Sequence, residues 1–215
     1  MKKLAAILFL ALAWAPATSP QQSQTPTNLS FFHGCPMQGD ARDQAVQTLN
    51  RLKNRYTAPT PEQVDPRITL AAILAPGYDV GRWTVREDAT ITGYVYDVRP
   101  GGIETVNCHA RDWADRDTHI ELVLDPMQSG AKQRMIVEVT PRWRAIMAER
   151  GVDWSTQTLR DGLLGRWVRV TGWMLFDFEH EGQAENTAPG RPRNWRATAW
   201  EIHPVTAIEV VPKPR

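Results

Sequence analysis

Residues 118–144, THIELVLDPMQSGAKQRMIVEVTPRWR, combine two strand patterns, a short turn and the start of a helix. Apolar and polar side chains alternate over 118–124, which is the period of a half-buried strand. The next predicted strand covers 133–140. A helix begins at the Thr140-Pro141 pair, because threonine caps helices well and proline suits their first turn. A pair of strands that leads directly into a helix is therefore the centre of the predicted fold.

Three further strands are predicted on either side of this centre. ATITGYVYDV (89–98) precedes it, while RWVRVTGWMLF (166–176) and WRATAWEIHPVTAIEVV (195–211) follow. The helical region then falls between the third and fourth of five strands, which is the order of an OB-fold, a small Greek-key barrel. We predict a mainly β protein with an OB-like five-stranded barrel; another β-barrel or an α+β arrangement of the same elements is the alternative.

The N-terminal residues predict export. MKKLAAILFLALAWAPA (1–17) has two lysines, an apolar run and small residues at a cleavage position, as secretory signals do. The run is too short for a stable membrane anchor, and no other segment approaches about 18 apolar residues. We therefore expect a secreted or periplasmic protein with no membrane span after cleavage, and a disordered leader over 18–30; a signal retained as an N-terminal anchor is the alternative.

Residues 31–88 are predicted to form an N-terminal helical extension packed on the barrel of 89–211. Asp40 is expected to cap a helix that continues to about Tyr56. The basic stretch LNRLKNR (49–55) within this helix is interpreted as a solvated face.

Charge and cysteine content limit the possible functions. The chain has 25 basic and 24 acidic residues, and loss of Lys2 and Lys3 with the signal leaves a net charge of about −1. Bulk nucleic-acid binding is not expected at this balance. Cys35 and Cys108 are the two cysteines, and in an exported chain they predict one disulfide. Two buried thiols, or a metal-binding role for Cys108, are the alternatives; the sequence does not predict the oligomeric state.

Four segments carry a resemblance to other proteins. They are GYVYDVRPGGIETVNCHARDWADRDTHIELVL, IVEVTPRWR, RVTGWMLFDFEHEGQAENT and WRATAWEIHPVTAIEV. Together they resemble a group of exported bacterial proteins with no established activity, over about residue 31 to the C-terminus. The resemblance implies that these segments form one domain and implies no catalytic residues.

The barrel order places two long polar loops, before the second and the fifth strand, beside the same face. We expect indoles, guanidinium groups, imidazoles and carboxylates to meet there and bind a polar ligand such as a glycan, oligonucleotide or peptide. The predicted ligand-binding residues are Trp113, Arg116, His119, Glu121, Glu138, His180, Arg191, Arg193 and Trp195.

Three other interpretations of the same residues stay open. Polar strand faces are common because they face water, so the cluster could be a solvated surface. It could instead hold Zn²⁺, Mn²⁺ or Fe²⁺, because carboxylates and imidazoles suit these ions. A metal-dependent hydrolase, possibly acting on phosphodiesters, would add an open coordination position. No GxSxG motif indicates a serine nucleophile, and whether the protein is an enzyme stays undecided. The predicted metal ligands are His109, Asp117, His119, Glu121 and His180.

Overall fold

The computed structural model describes residues 28–128 and 130–214. The predicted signal segment and most of the predicted leader lie outside these residues. The strands are Phe31–Phe32 (β1), Cys35–Pro36 (β2), Asp88–Pro100 (β3), Thr118–Val123 (β4), Met135–Val139 (β5), Trp167–Phe176 (β6) and Trp200–Val210 (β7). The helices are Gln44–Lys53 (α1), Leu70–Ile73 (α2), Pro141–Glu149 (α3) and Thr156–Leu163 (α4).

Strands β3 to β7 form a closed barrel in the order β3-β4-β5-β7-β6. Neighbouring strands are antiparallel except β5 and β7, which pair in parallel through Ile136 with Glu201 and Val137 with Ile202. Helices α3 and α4 lie between β5 and β6 in the chain. The predicted OB-like barrel is therefore confirmed.

Alternation of apolar side chains fills the barrel interior. Ile91, Ile120, Val137, Val170 and Ile202 come from the five strands and are all buried in one cluster. Helices α3 and α4 add apolar side chains to the same cluster, so the helical insertion closes part of the core. Burial of these side chains, each worth about 1.5–3 kcal/mol, is what stabilises the closed barrel.

Strands β4 and β5 are buried on both faces. Every residue of β4 and β5 is buried, including the outer-face residues His119, Glu121 and Glu138. The interpretation of these three side chains as a solvated surface is therefore wrong. The chain covers its own barrel at the position where strand alternation alone predicts water.

Helix α1 forms part of this cover. Its N-cap is Asp43, whose side chain accepts from the backbone N–H groups of Ala45 and Val46, so the helix begins three residues later than predicted from Asp40. Asn50 donates to the Thr105 hydroxyl in the loop between β3 and β4, at 3.0 Å. Lys53 is buried rather than solvated. These contacts dock α1 onto the barrel.

A disulfide fixes the segment before α1 to the same loop. Cys35 and Cys108 are bonded, with their Cα atoms 5.7 Å apart. The predicted disulfide is confirmed, and it ties the N-terminal segment to the loop that precedes β4. Among the described residues, no helix is long and apolar enough to cross a membrane.

Candidate functional site

The two long loops meet over the outer face of β4, β5 and β7. One is the loop between β3 and β4, residues 101–117, and the other is the loop between β6 and β7, residues 177–199. The Lys53 ammonium joins them, since its Nζ lies 2.8 Å from Asp177 Oδ2 and 3.2 Å from Glu104 Oε2. Both long loops therefore lie on the same side of the barrel, as predicted.

A buried pair of histidines lies beneath the loops. Nε2 of His119 in β4 is 3.0 Å from Oε1 of Glu138 in β5. Nδ1 of His203 in β7 lies 3.1 Å from Glu201 Oε2 and 3.6 Å from Glu138 Oε2. Asp117, just before β4, places its Oδ2 3.9 Å from His203 Nε2. Glu138 therefore contacts both imidazoles, and His203 in turn lies beside Glu201 and Asp117, all of them buried.

Burial and neighbouring charges shift the pKa values of these groups in opposite directions. Burial raises the pKa of Glu138, but the positive charges of His119 and His203 outweigh it and hold that pKa well below its usual range. Burial lowers the pKa of both histidines, and the Glu138 carboxylate outweighs it, so both are raised. Burial raises the pKa of Asp117 to about 6.

A second buried group adjoins the first. Burial raises the pKa of Asp177, but Lys53 and His180 hold it well below its usual range. His180 Nδ1 lies 2.9 Å from Asp177 Oδ2. Arg196, fully buried, places Nη1 2.7 Å from Glu201 Oε1. Fixed cations therefore neutralise these carboxylates from within the fold.

Glu121 belongs to a third arrangement at the edge of the face. Its Oε1 accepts from the Arg99 guanidinium at 2.9 Å, and its Oε2 lies 3.3 Å from Arg134 Nη1. Two guanidinium groups thus hold this carboxylate, so it is not available to a ligand or a metal.

The indole of Trp195 separates the buried groups from solvent. Its ring is stacked on His119 with centroids 6.4 Å apart, and the edge of His180 approaches it at 6.0 Å. The guanidinium carbons of Arg99 and Arg196 lie 5.3 and 5.2 Å from its centroid. Neighbouring side chains thus already contact the Trp195 ring, which lies between the buried groups and solvent.

A cavity of about 840 Å³, here called the loop cleft, is lined by Trp195 and by other residues of the same loop. The residues that line the loop cleft are Glu179, Gly182, Gln183, Arg191, Pro192, Arg193 and Trp195. In the described part of the chain, the guanidinium groups of Arg191 and Arg193 have no hydrogen-bond or ion-pair partner, and both residues are exposed. The loop cleft thus offers two free cationic groups.

Only three of the nine predicted ligand-binding residues share this cleft, namely Arg191, Arg193 and Trp195. His119, Glu121 and Glu138 are buried beneath the loops, and His180 is half-buried behind Trp195. The three buried residues do not line the loop cleft, because the chain itself occupies that strand face.

Trp113 and Arg116 lie apart from the loop cleft. Trp113 is 64 % exposed and borders a mostly apolar cavity of about 500 Å³ together with Phe32 and Trp154. The Arg116 backbone carbonyl accepts from Arg144 beside this cavity. These two residues therefore do not join Trp195 in one pocket, contrary to the prediction.

The predicted metal ligands do not form one set, although His109 and His180 line the same cavity of about 260 Å³. His109 is largely exposed and its Nδ1 lies 2.8 Å from Asp40 Oδ2, away from the buried groups. The structure instead brings together two sets of groups that could hold a cation, with ligand atoms within 4.8 Å of one another. The first is Asp117, Glu138 and His203, and the second is Asp177, His180 and Glu201.

Glu201, His203 and Lys53 are buried ionisable residues that were not among the predicted site residues. Alternation in WEIH (200–203) places Glu201 and His203 on one face of the last strand, so the sequence carries a signal for both. The sequence does not predict the burial of Lys53, because a basic residue on a helix is expected to face solvent unless another element is known to cover it.

The chain matches no known protein-family model, and comparison with curated proteins finds no significant match. The site must therefore be interpreted from its own chemistry.

Proposed function

We propose that this protein is an exported OB-like binding module that takes a negatively charged polar ligand in the loop cleft. One observation carries the proposal: Arg191 and Arg193, exposed and without partners among the described residues, line one cavity with Trp195. Guanidinium groups suit carboxylate and phosphate because their paired N–H donors match these anions.

The position of the cleft supports this function. OB-folds bind ligands on the face of their second and third strands and on the loops beside it. Here the strand face is covered by Trp195, α1 and both loops, while Arg191 and Arg193 stay exposed in the loop between β6 and β7. We propose that the ligand contacts this loop and not the strands.

Export is supported by two features of the chain. Residues 1–17 have the pattern of a secretory signal, and Cys35 and Cys108 form a disulfide. Disulfides persist in oxidising compartments such as the bacterial periplasm. The resemblance to exported bacterial proteins agrees with this location.

The ligand classes to test are an oligonucleotide, an acidic glycan and an acidic peptide. Calorimetric titration with oligothymidylate, oligogalacturonate and oligoglutamate at low salt covers the three. We expect one of them to bind, and Arg191→Gln/Arg193→Gln to weaken that binding at least about tenfold, a loss of about 1.4 kcal/mol. Higher salt is expected to weaken binding, because exposed charges are screened.

Arg150→Gln provides the matched control, because Arg150 is an exposed arginine at the end of α3, outside the loop cleft. It is expected to leave affinity unchanged. Failure of all three probes to bind, or equal binding by the double variant and the wild type, would contradict the proposal.

A metal-dependent hydrolase stays an untested prediction. A catalytic metal needs an open position for substrate and water. In the described ranges, the first set of possible ligands, Asp117, Glu138 and His203, is almost completely buried. The geometry therefore favours the binding module.

A further inference from the structure

Asp117, Glu138 and His203 converge from three separate parts of the barrel. Asp117 ends the loop before β4, Glu138 belongs to β5, and His203 belongs to β7. Each offers a ligand atom within 4.8 Å of the other two, and none is more than 3 % exposed. A compact set of one imidazole and two carboxylates therefore lies inside the protein.

Two atoms of this set face the interior without a hydrogen-bond partner. They are Nε2 of His203 and Oδ1 of Asp117. Buried polar atoms are nearly always paired with protein or solvent, so two unpaired atoms in one place indicate a missing partner. Either protonation state of His203 leaves Nε2 unsatisfied, since the nearest carboxylate oxygen is 3.9 Å away.

The outer contacts of the three residues are those of metal ligands. His203 Nδ1 lies 3.1 Å from Glu201 Oε2, so in the neutral imidazole that donates from Nδ1 the lone pair is on Nε2. Asp117 Oδ2 accepts from Asn107 Nδ2 at 3.0 Å, and Glu138 is paired with His119. Metal-binding histidines commonly donate their second N–H to a carboxylate, and metal-binding carboxylates are themselves hydrogen-bonded.

The neighbouring lysine and arginine side chains are paired with other groups. Lys53 is paired with Glu104 and Asp177. Arg142 donates to Asn54 and to backbone carbonyls, and Arg144 donates to Thr118 and to backbone carbonyls. Across residues 28–128 and 130–214, no lysine or arginine nitrogen contacts Asp117 or Glu138. The direct contacts of these two carboxylates are therefore with imidazoles and amides, and the charges of Lys53, Arg142 and Arg144 reach them only from beyond contact distance.

We propose that Asp117, Glu138 and His203 bind one divalent transition-metal ion, Zn²⁺ or Mn²⁺, as a structural site. Imidazole together with carboxylate suits both ions. Of these three residues, only Asp117 was among the metal ligands predicted from sequence. Glu121, His109 and His180 are paired with other side chains, and His119 is paired with the proposed ligand Glu138.

The site has a structural purpose. Strands β5 and β7 close the barrel through two residue pairs, the shortest seam among its five strand pairs. A metal held by Glu138 and His203 joins these two strands, and Asp117 adds the start of β4. The proposal is independent of the loop cleft.

The test uses untagged protein refolded with Zn²⁺ or Mn²⁺ and then dialysed against EDTA, because a buried site loads only when the chain opens. Elemental analysis is expected to find one metal ion per chain in the wild type. Asp117→Asn and His203→Gln are expected to reduce this content at least about tenfold. His109→Gln, an exposed histidine, and His180→Gln, from the second group, are expected to retain it.

A wild type that holds neither metal would overturn the proposal, as would loss of metal from His180→Gln with retention by Asp117→Asn. If the two ligand variants fail to fold, imidazole ¹⁵N spectra of the wild type decide. Zn²⁺ is expected to bind Nε2 of a histidine whose Nδ1 stays protonated. Binding through Nδ1, or no change in any of the five imidazoles, would contradict the assignment.

Discussion

Replacement of Lys53 by methionine tests the buried charge network in a single step. The ammonium is 1 % exposed and pairs with Asp177, also 1 % exposed, and with the more open Glu104. Methionine has nearly the same length and fills the same space without charge. The Asp177 carboxylate would then lie buried with only half-buried His180 as a charged partner.

The expected loss follows from the burial of both partners. Removing one member of a buried ion pair costs about 3–5 kcal/mol, because the remaining charge stays out of water. Exposed ion pairs are worth about 0–1 kcal/mol. With a urea dependence of about 2 kcal/mol per M, Lys53→Met is expected to lower the urea midpoint by about 1.5–2.5 M.

A second substitution separates charge from packing. Asp177→Asn can still accept from the Glu179 backbone N–H but carries no charge. Lys53→Met/Asp177→Asn is therefore expected to be at least about 2 kcal/mol more stable than Lys53→Met alone.

Lys132→Met is the matched control for an exposed pair, since Lys132 is 71 % exposed and lies 3.2 Å from Glu185. It should change stability by less than about 1 kcal/mol. Urea unfolding followed by tryptophan fluorescence measures all four proteins. If Lys53→Met costs no more than Lys132→Met, then Lys53 is solvated and α1 does not cover the barrel face.

Two further predictions concern the disulfide and pH. Cys35→Ala/Cys108→Ala is expected to lose up to about 4 kcal/mol in urea unfolding, because the bond closes a loop with a sequence separation of 73; a loss below about 1 kcal/mol would mean that the loop stays closed without it. Burial lowers the pKa of His180, but its hydrogen bond and charge contact with Asp177 outweigh this and raise the pKa above its usual value. Its stabilising contribution is complete below about pH 6.5 and disappears as pH rises through the raised pKa. The stability difference between wild type and His180→Gln should therefore shrink as the pH rises above about 6.5; a difference that grows would contradict the pairing.

Local patterns were sufficient to predict the barrel. Alternation over residues 118–124 and the Thr140-Pro141 helix start both depend on neighbours in the chain, and both occur as expected. The order of strands and the inserted helix then left few possible topologies. The helix start at Asp43 in place of Asp40 is a local error of the same kind, since either aspartate can cap.

The environment of the outer face was not predictable in the same way. Alternation shows that His119 and Glu138 share a face opposite the core, but it carries no information on what covers that face. The cover comes from Lys53, which is distant in sequence, and from Trp195 in a loop without periodicity. Trp113 and Trp195 look equivalent in sequence, yet the first lies beside a separate cavity and the second seals the buried groups.

The burial of the histidines beneath the loops is tested most directly by carbethoxylation of the native protein with peptide mass spectrometry. His33 and His109 have side chains 64 % and 56 % exposed, whereas those of His119 and His203 are 6 % and 0 % exposed. We expect rapid modification of His33 and His109, and protection of His119 and His203 until urea unfolds the chain. Modification of His119 or His203 in the native protein at the rate of His109 would contradict the burial of these histidines beneath the loops.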